Sequence, residues 1–260
     1  MKPAAFILII FFLGVAFYAT NNYLSELPGG FVGDALAPQV RPTLSRALVA
    51  SDGLIIDLGG NVNMEFAMVA SGSFVMGSSD SDPDAKANEK PQSKVSITES
   101  FLIGKHEVTQ EQYARVMNLH PSHFVHDASK KQPVEHVTWY DAVKFCNALS
   151  AASGLEACYT DQSGSTQIDT VDAVHCNFIA GGFRLPTEAE WEYACRAGST
   201  TRYCCGDELD DEYAWNWGNS LVQYLPNSKG RGTNPVGSRK PNAWGIYDMH
   251  GSLWEWCWDW

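Results

Sequence analysis

Gly245-Ile-Tyr-Asp-Met-His-Gly-Ser-Leu-Trp-Glu-Trp-Cys-Trp-Asp-Trp260 closes the chain and carries two readings at once. Trp254, Trp256, Trp258 and Trp260 alternate with Glu255, Cys257 and Asp259, the period of a strand with one aromatic face. Glu255 follows Asp248 by seven residues, across a turn that contains Gly251. Two carboxylates either side of a Gly turn, with backbone carbonyls between them, supply the oxygen ligands that a hard cation such as Ca²⁺ takes. The competing reading has both acids merely capped by backbone N–H groups. The chain stops inside this strand and is read as incomplete at its C-terminus. Four indoles and one strand edge are then left needing a cover.

Upstream, Phe183-Arg-Leu-Pro-Thr-Glu-Ala-Glu-Trp-Glu-Tyr-Ala-Cys-Arg-Ala-Gly198 contains a helix start and stop. Thr187 with Glu190 forms a capping box, Trp191, Ala194 and Cys195 face inward, and Gly198 ends the helix. Thr109 with Gln112 predicts a second helix carrying Tyr113, Val116 and Met117. Thr138 with Asp141 predicts a third, striped by Ala142, Phe145, Cys146 and Leu149 and ending near Gly154. Met64 to Met76 reads as a β-hairpin broken at Ser71-Gly72-Ser73, and Val95 to Ile103 as a further strand. Few helices, short strands and long loops make an α+β domain rather than an alternating βαβ one.

The two quoted segments together closely resemble the formylglycine-generating enzyme (sulfatase-modifying factor) family. Supporting stretches follow in the family's order. They are Met64-Glu-Phe-Ala-Met-Val-Ala-Ser-Gly-Ser-Phe-Val-Met-Gly77, Lys105-His-Glu-Val-Thr-Gln-Glu-Gln-Tyr113, Gln132-Pro-Val-Glu-His-Val-Thr-Trp-Tyr-Asp-Ala-Val143, Asn234-Pro-Val-Gly237 and Lys240-Pro-Asn-Ala-Trp-Gly245. The resemblance implies a C-type-lectin-like fold with little regular secondary structure and loops braced by Ca²⁺. It implies Ca²⁺ ligands at the Asp248 and Glu255 side chains and the Gly251 and Leu253 carbonyls, with Ser252 where the family usually has Asn. A second Ca²⁺ site, with Asn216 or Asn219 as the nearest candidates, is not assigned. The implied activity is copper- and O₂-dependent oxidation of a Cys or Ser in a sulfatase polypeptide to formylglycine. The family's two copper-binding cysteines lie in a segment after the Trp-Glu-Trp strand, so copper is expected only if a continuation past Trp260 supplies the thiolates. No catalytic residue is transferred to this chain. The alternative is a non-catalytic exported binding or scaffold module of the same fold.

Composition bounds the partners. The chain of 260 residues is 45% hydrophobic, contains nine Trp, and has a formal charge of −12. That charge argues against nonspecific nucleic-acid binding, which needs clustered Lys and Arg. It serves solubility, or attracts a basic peptide. Lys2 precedes a nearly unbroken apolar run from Ala4 to Ala19. Residues 1–20 therefore read as a signal peptide or as an N-terminal anchor that holds the protein to a membrane through residues 4–19. Both readings export the domain. Residues 21–60 read as a linker, and 64–260 as the domain.

Export makes the seven cysteines a question of pairing. Cys158 and Cys176 flank a polar loop and are the first pair expected to bridge. Cys146 and Cys195 read as buried thiols on helix faces, and the adjacent Cys204 and Cys205 as too close for an unstrained mutual disulfide. His120, His123 and His126 are spaced like a transition-metal cluster, but Pro121 keeps the first two off one helix face, and a solvated loop is expected. Arg184, Glu188 and Glu192 read as surface or supporting ion-pair residues, and Glu190 as a cap.

Overall fold

The computed structural model describes residues 53–125, 131–169, 173–220 and 232–259, and the backbone of residues 7–9, 12–14 and 47–50. Its first strands are β1 (Ile7–Ile9), β2 (Phe12–Gly14), β3 (Ala47–Ala50), β4 (Gly53–Asp57), β5 (Asn63–Val69) and β6 (Gly72–Met76). They are followed by β7 (Ser93–Ile97), β8 (Phe101–Gly104), α1 (Gln110–Met117) and α2 (Trp139–Ala152). Then come β9 (Tyr159–Thr160), β10 (His175–Cys176), β11 (Phe183–Arg184), α3 (Glu188–Arg196), β12 (Ala214–Trp215), β13 (His250–Gly251) and β14 (Trp254–Trp256). The arrangement is α+β with the C-type-lectin-like character expected: short strands, three helices and long connecting loops.

A six-stranded sheet in the order β11-β1-β8-β5-β4-β3 divides the interior into two cores. On one face Met64, Phe66 and Leu102 pack with Tyr113 of α1 and with Ala142, Val143, Phe145, Cys146 and Leu149 of α2. On the other face Ala67, Val69, Phe101 and Ile103 pack with Tyr193, Ala194 and Cys195 of α3 and with Ile246 and Met249. β8 is buried at all four positions because both its faces are covered. Each fully buried Phe contributes on the order of 1.5–3 kcal/mol. The stacked Tyr113 and Phe145 rings, 5.5 Å apart, join α1 to α2.

All three helix starts are where the capping boxes place them. Thr109, Thr138 and Thr187 accept from the backbone N–H of Gln112, Asp141 and Glu190, whose side chains return the bond. α3 ends through Ala197 and Gly198, both with positive φ. Two strand expectations fail. β5 and β6 are not a hairpin: β5 pairs with β4 and β8, while β6 pairs with β7 in a separate sheet. β5 alternates strictly between the two cores: Met64 and Phe66 face the first, Ala67 and Val69 the second, and Met68, on the first face, is exposed. Val95 to Ile103 is likewise two strands, broken at Thr98-Glu99-Ser100, because β7 and β8 belong to different sheets.

The closing aromatic strand is shorter than its alternation suggests. Only Trp254–Trp256 is strand, and it pairs antiparallel with β2. Trp256 donates to the Val137 carbonyl and, with Trp258, packs against the α1–α2 core, whereas Trp254 points to solvent. Trp260 and His126 lie outside the described residues. All seven cysteines are free. The Cys158–Cys176 bridge does not form because Tyr159, not Cys158, stands opposite Cys176 in the β9–β10 ladder. Cys158 therefore leaves the pleat on the other side and donates to the Ala180 carbonyl. No helix among the described residues is long and apolar enough to cross a membrane.

Candidate functional site

The site is built where α3, the end of β8 and the chain from Gly245 to Cys257 meet. Arg184 and Glu190 set its frame. Arg184, expected as a surface or supporting ion-pair residue, is buried and grips Glu190 with two guanidinium nitrogens at 2.6 and 2.8 Å. Glu190 also accepts from the Thr187 backbone, so one carboxylate caps α3 and ties it to β11. Glu192 pairs with Arg196 one turn later, and the Glu188 N–H donates to Asp259. Asn242 holds the approaching loop: it donates to the Ala194 and Cys195 carbonyls and accepts from the N–H groups of Trp244 and Ile246. Lys105 then accepts from the Tyr247 N–H, which draws the loop against the residues that follow β8.

This placement brings Asp248 and Glu255 together with Glu107, a residue that spacing did not single out. Asp248 has a positive φ, and its Oδ2 accepts from the Gly237 N–H at 2.6 Å. Oδ1 of Asp248 and both carboxylate oxygens of Glu107 are buried without a well-aligned hydrogen bond, while the Glu107 carboxyl lies against the Asp248 carboxyl and the Ser252 hydroxyl. Glu255 Oε2 accepts from the Trp191 indole N–H at 2.5 Å. Burial pushes the Glu107 carboxyl well up, and the negative Asp248 and Glu255 beside it push it further. Burial raises Asp248 too, against the Gly237 hydrogen bond. Glu255 is pushed up to about 8, by enclosure of its carboxylate first and by Asp248 second, although the residue as a whole is part-exposed.

Gly251 is the turn that makes this possible. It has φ +81°, and a Cβ there would sit 1.9 Å from the Trp215 carbonyl oxygen, because β13 runs parallel to β12 at that point. The capped-acid reading accounts for one oxygen of Asp248 and one of Glu255 and leaves three oxygens without a well-aligned bond. Buried carboxylate oxygens without good partners are the donor chemistry that a hard divalent cation takes. The side chains alone are not converged: among the described residues no group of three His, Cys, Asp or Glu is close enough to hold an ion. The Gly251 and Leu253 carbonyls are the remaining ligands of the expected set.

The other candidates do not gather into a centre. Asn216 and Asn219 spend their side-chain oxygens on the backbone N–H groups of their own turn. His123 stacks on His136 rather than converging with His120. The seven cysteines are free thiols, and copper(I) takes thiolates. Burial pushes Cys146, Cys158, Cys195 and Cys257 up, Cys176 up to about 12 and Cys204 up to about 11.

Beside the carboxylates lies an open cleft of about 660 Å³, with Glu255, Trp191 and Cys257 in its wall and Trp217 and Trp254 at its rim. These two indoles are 60% and 70% exposed. The cleft is not visible in the sequence, because Trp217 and Trp254 come from distant segments that the β12–β13 pairing brings together.

Residues 59–260 match the family described as sulfatase-modifying factor enzyme 1-like domain. Chaperone protein LppX of Paenibacillus barcinonensis is 40% identical over 194 residues, which are 67% of this chain and 68% of that protein. The formylglycine-generating enzyme of Thermomonospora curvata is 30% identical over 217 residues, 74% of this chain and 70% of that enzyme. Among solved structures, Treponema denticola variable protein 1 superimposes with a TM-score of 0.65 at 35% identity, covering 77% of this chain and 74% of that one.

Proposed function

The chain belongs to the sulfatase-modifying factor family, and on that premise we propose an exported, Ca²⁺-braced domain whose tryptophan-rimmed cleft receives an extended polypeptide. The observation that carries the reading is the cleft, with two solvent-facing indoles beside a pocket of buried carboxylates. Aromatic faces at a cleft rim bury large apolar area at low entropic cost, the usual way a polypeptide is gripped. The name of the 40% identical relative, a chaperone, supports polypeptide handling. Glu107, Asp248 and Glu255 would hold the ion, with the Gly251 and Leu253 carbonyls. Bound Ca²⁺ supplies charge neutralisation and a brace for the Asp248–Glu255 loop. Trp191 and Gly237 orient two of the acids by their N–H groups. Residues 4–19 would export the domain, as a cleaved signal or as an anchor.

A second reading, favoured by the Thermomonospora enzyme, is oxidation of a Cys or Ser in a sulfatase polypeptide to formylglycine. No residue of this chain is assigned a step of that reaction. One experiment separates the two. A Cys-x-Pro-x-Arg peptide is titrated into the full chain with Ca²⁺, copper and O₂, following indole fluorescence and peptide mass. Saturable quenching, weakened about 10-fold by Trp254→Ala and without aldehyde formation, supports the binding reading, since losing a rim aromatic costs roughly 1–2 kcal/mol. Aldehyde formation supports the second reading, and the absence of binding overturns the first.

A further inference from the structure

A hollow of about 560 Å³ lies along α2, with the end of α1, Leu58 and residues 166–169 as its other walls. That is the size of an ordinary small-molecule site. Lys144, Ala148 and Ala151 stand at i, i+4 and i+7 of α2, on one stripe of the helix. Alanine leaves open there the space that a larger side chain would fill. The loop wall is held in place, because the Asn147 amide donates to the Tyr159 and Thr166 carbonyls at 2.8 and 3.1 Å and Ile168 is buried in the core.

Two cations, Arg115 and Lys144, stand in this wall. Among the other described arginines, Arg184, Arg196 and Arg202 are ion-paired and Arg239 lies 3.6 Å over the Trp215 ring. Arg115 and Lys144 form no ion pair among the described residues. The Arg115 guanidinium lies instead on the turn at Gly60, where a Cβ would come within 2.1 Å of it. The one carboxylate of the lining, Asp169, is exposed and forms an ion pair with neither cation among the described residues. Two cations less one carboxylate match a singly charged head, and the apolar floor matches a hydrocarbon body. The chain as a whole carries −12, so this positive spot runs against its overall charge.

We propose that the hollow binds a small amphipathic anion of the medium-chain carboxylate class. Arg115 and Lys144 hold the head group, and the body rests on Met117, Ala148, Ala151 and Ile168. The hollow shares no lining residue with the tryptophan-rimmed cleft, so the inference stands apart from the polypeptide reading and from the cation.

The test titrates the full chain with octanoate and, separately, with 1-octanol, by isothermal calorimetry. Octanoate should saturate one site and bind about 10-fold tighter than the uncharged alcohol. Added NaCl should shrink that preference, since exposed cations are screened. Arg115→Gln and Lys144→Gln should each weaken octanoate about 5-fold and leave 1-octanol unchanged. Ala151→Phe, which fills the hollow, should abolish binding of both, and Trp254→Ala should change neither. If Ala151→Phe fails to fold, the salt series and the two charge variants decide. Absence of saturable binding overturns the proposal, as does equal affinity for octanoate and 1-octanol. So does a preference that ignores salt and both charge variants, or one lost with Trp254→Ala, which would put the ligand in the cleft.

Discussion

Three carboxylates decide the chemistry of this molecule at the scale of single residues. Glu107, Asp248 and Glu255 are enclosed, and each has its carboxyl pushed up by burial first. The pH dependence follows with a definite sign. Glu255 sits near 8 in the folded chain against its ordinary 4.5, so the native state holds a proton that the unfolded chain has released. Without a cation, stability is fully present below pH 4.5 and is lost as pH rises through 8. The slope reaches about 1.4 kcal/mol per pH unit for each such proton. Denaturant midpoints of Ca²⁺-free protein at pH 5, 6.5 and 8 should fall in that order, and a flat or rising series would contradict the assignment. Glu107→Gln removes one buried charge and should flatten the series. Gly251→Ala is the sharpest backbone test, because its Cβ would strike the Trp215 carbonyl at positive φ. A loss of about 2–4 kcal/mol is expected, and a loss under about 0.5 kcal/mol would mean the turn is not built as described. Asp248, Gly251 and Glu255 were legible because one short segment contains them. Glu107 was not, since it joins them only through the docking of residues 245–248 against the end of β8. A charged residue between the apolar Phe101–Ile103 and Val108 was its one local signal.

Elements were legible where a local rule settles them. Thr109–Gln112, Thr138–Asp141 and Thr187–Glu190 each close a hydrogen-bonded ring inside four residues, so no distant contact can overrule them. Strand pairing is not local. The Met64–Met76 run looks like a hairpin, yet its two halves enter different sheets: β5 is taken between β4 and β8, and β6 pairs with β7. Cys158 and Cys176 failed as a pair for a related reason: a ladder register, which flanking sequence does not fix, sets them on opposite pleats. The α3 start carries the strongest prediction at this scale. Glu190 is both the cap partner and the only carboxylate gripping the buried Arg184 guanidinium among the described residues. Glu190→Ala should cost about 3–5 kcal/mol, since it strands a buried charge. Thr187→Ala should cost only about 0.5–2 kcal/mol. Equal costs in urea unfolding would show that the ion pair adds nothing to the cap.

The whole molecule is a sheet with a core on each face and a loop-built end that regular hydrogen bonding does not hold. Long loops lose conformational entropy on folding, and a ligand bound only by the native state offsets it by mass action. At a Ca²⁺ concentration 100 times the dissociation constant the gain is about 2.7 kcal/mol, or about 5–10 °C in melting temperature for a domain of this size. The Ca²⁺ response of the melting temperature, read at pH 8 for the full chain and for Asp248→Asn, Glu255→Gln and Glu107→Gln, is the direct test. The account predicts a rise of that order in the unmodified chain, a smaller one at pH 5 where protons occupy the acids, and little or none in the three variants. A melting temperature indifferent to Ca²⁺, or a response equal in all four proteins, would contradict it.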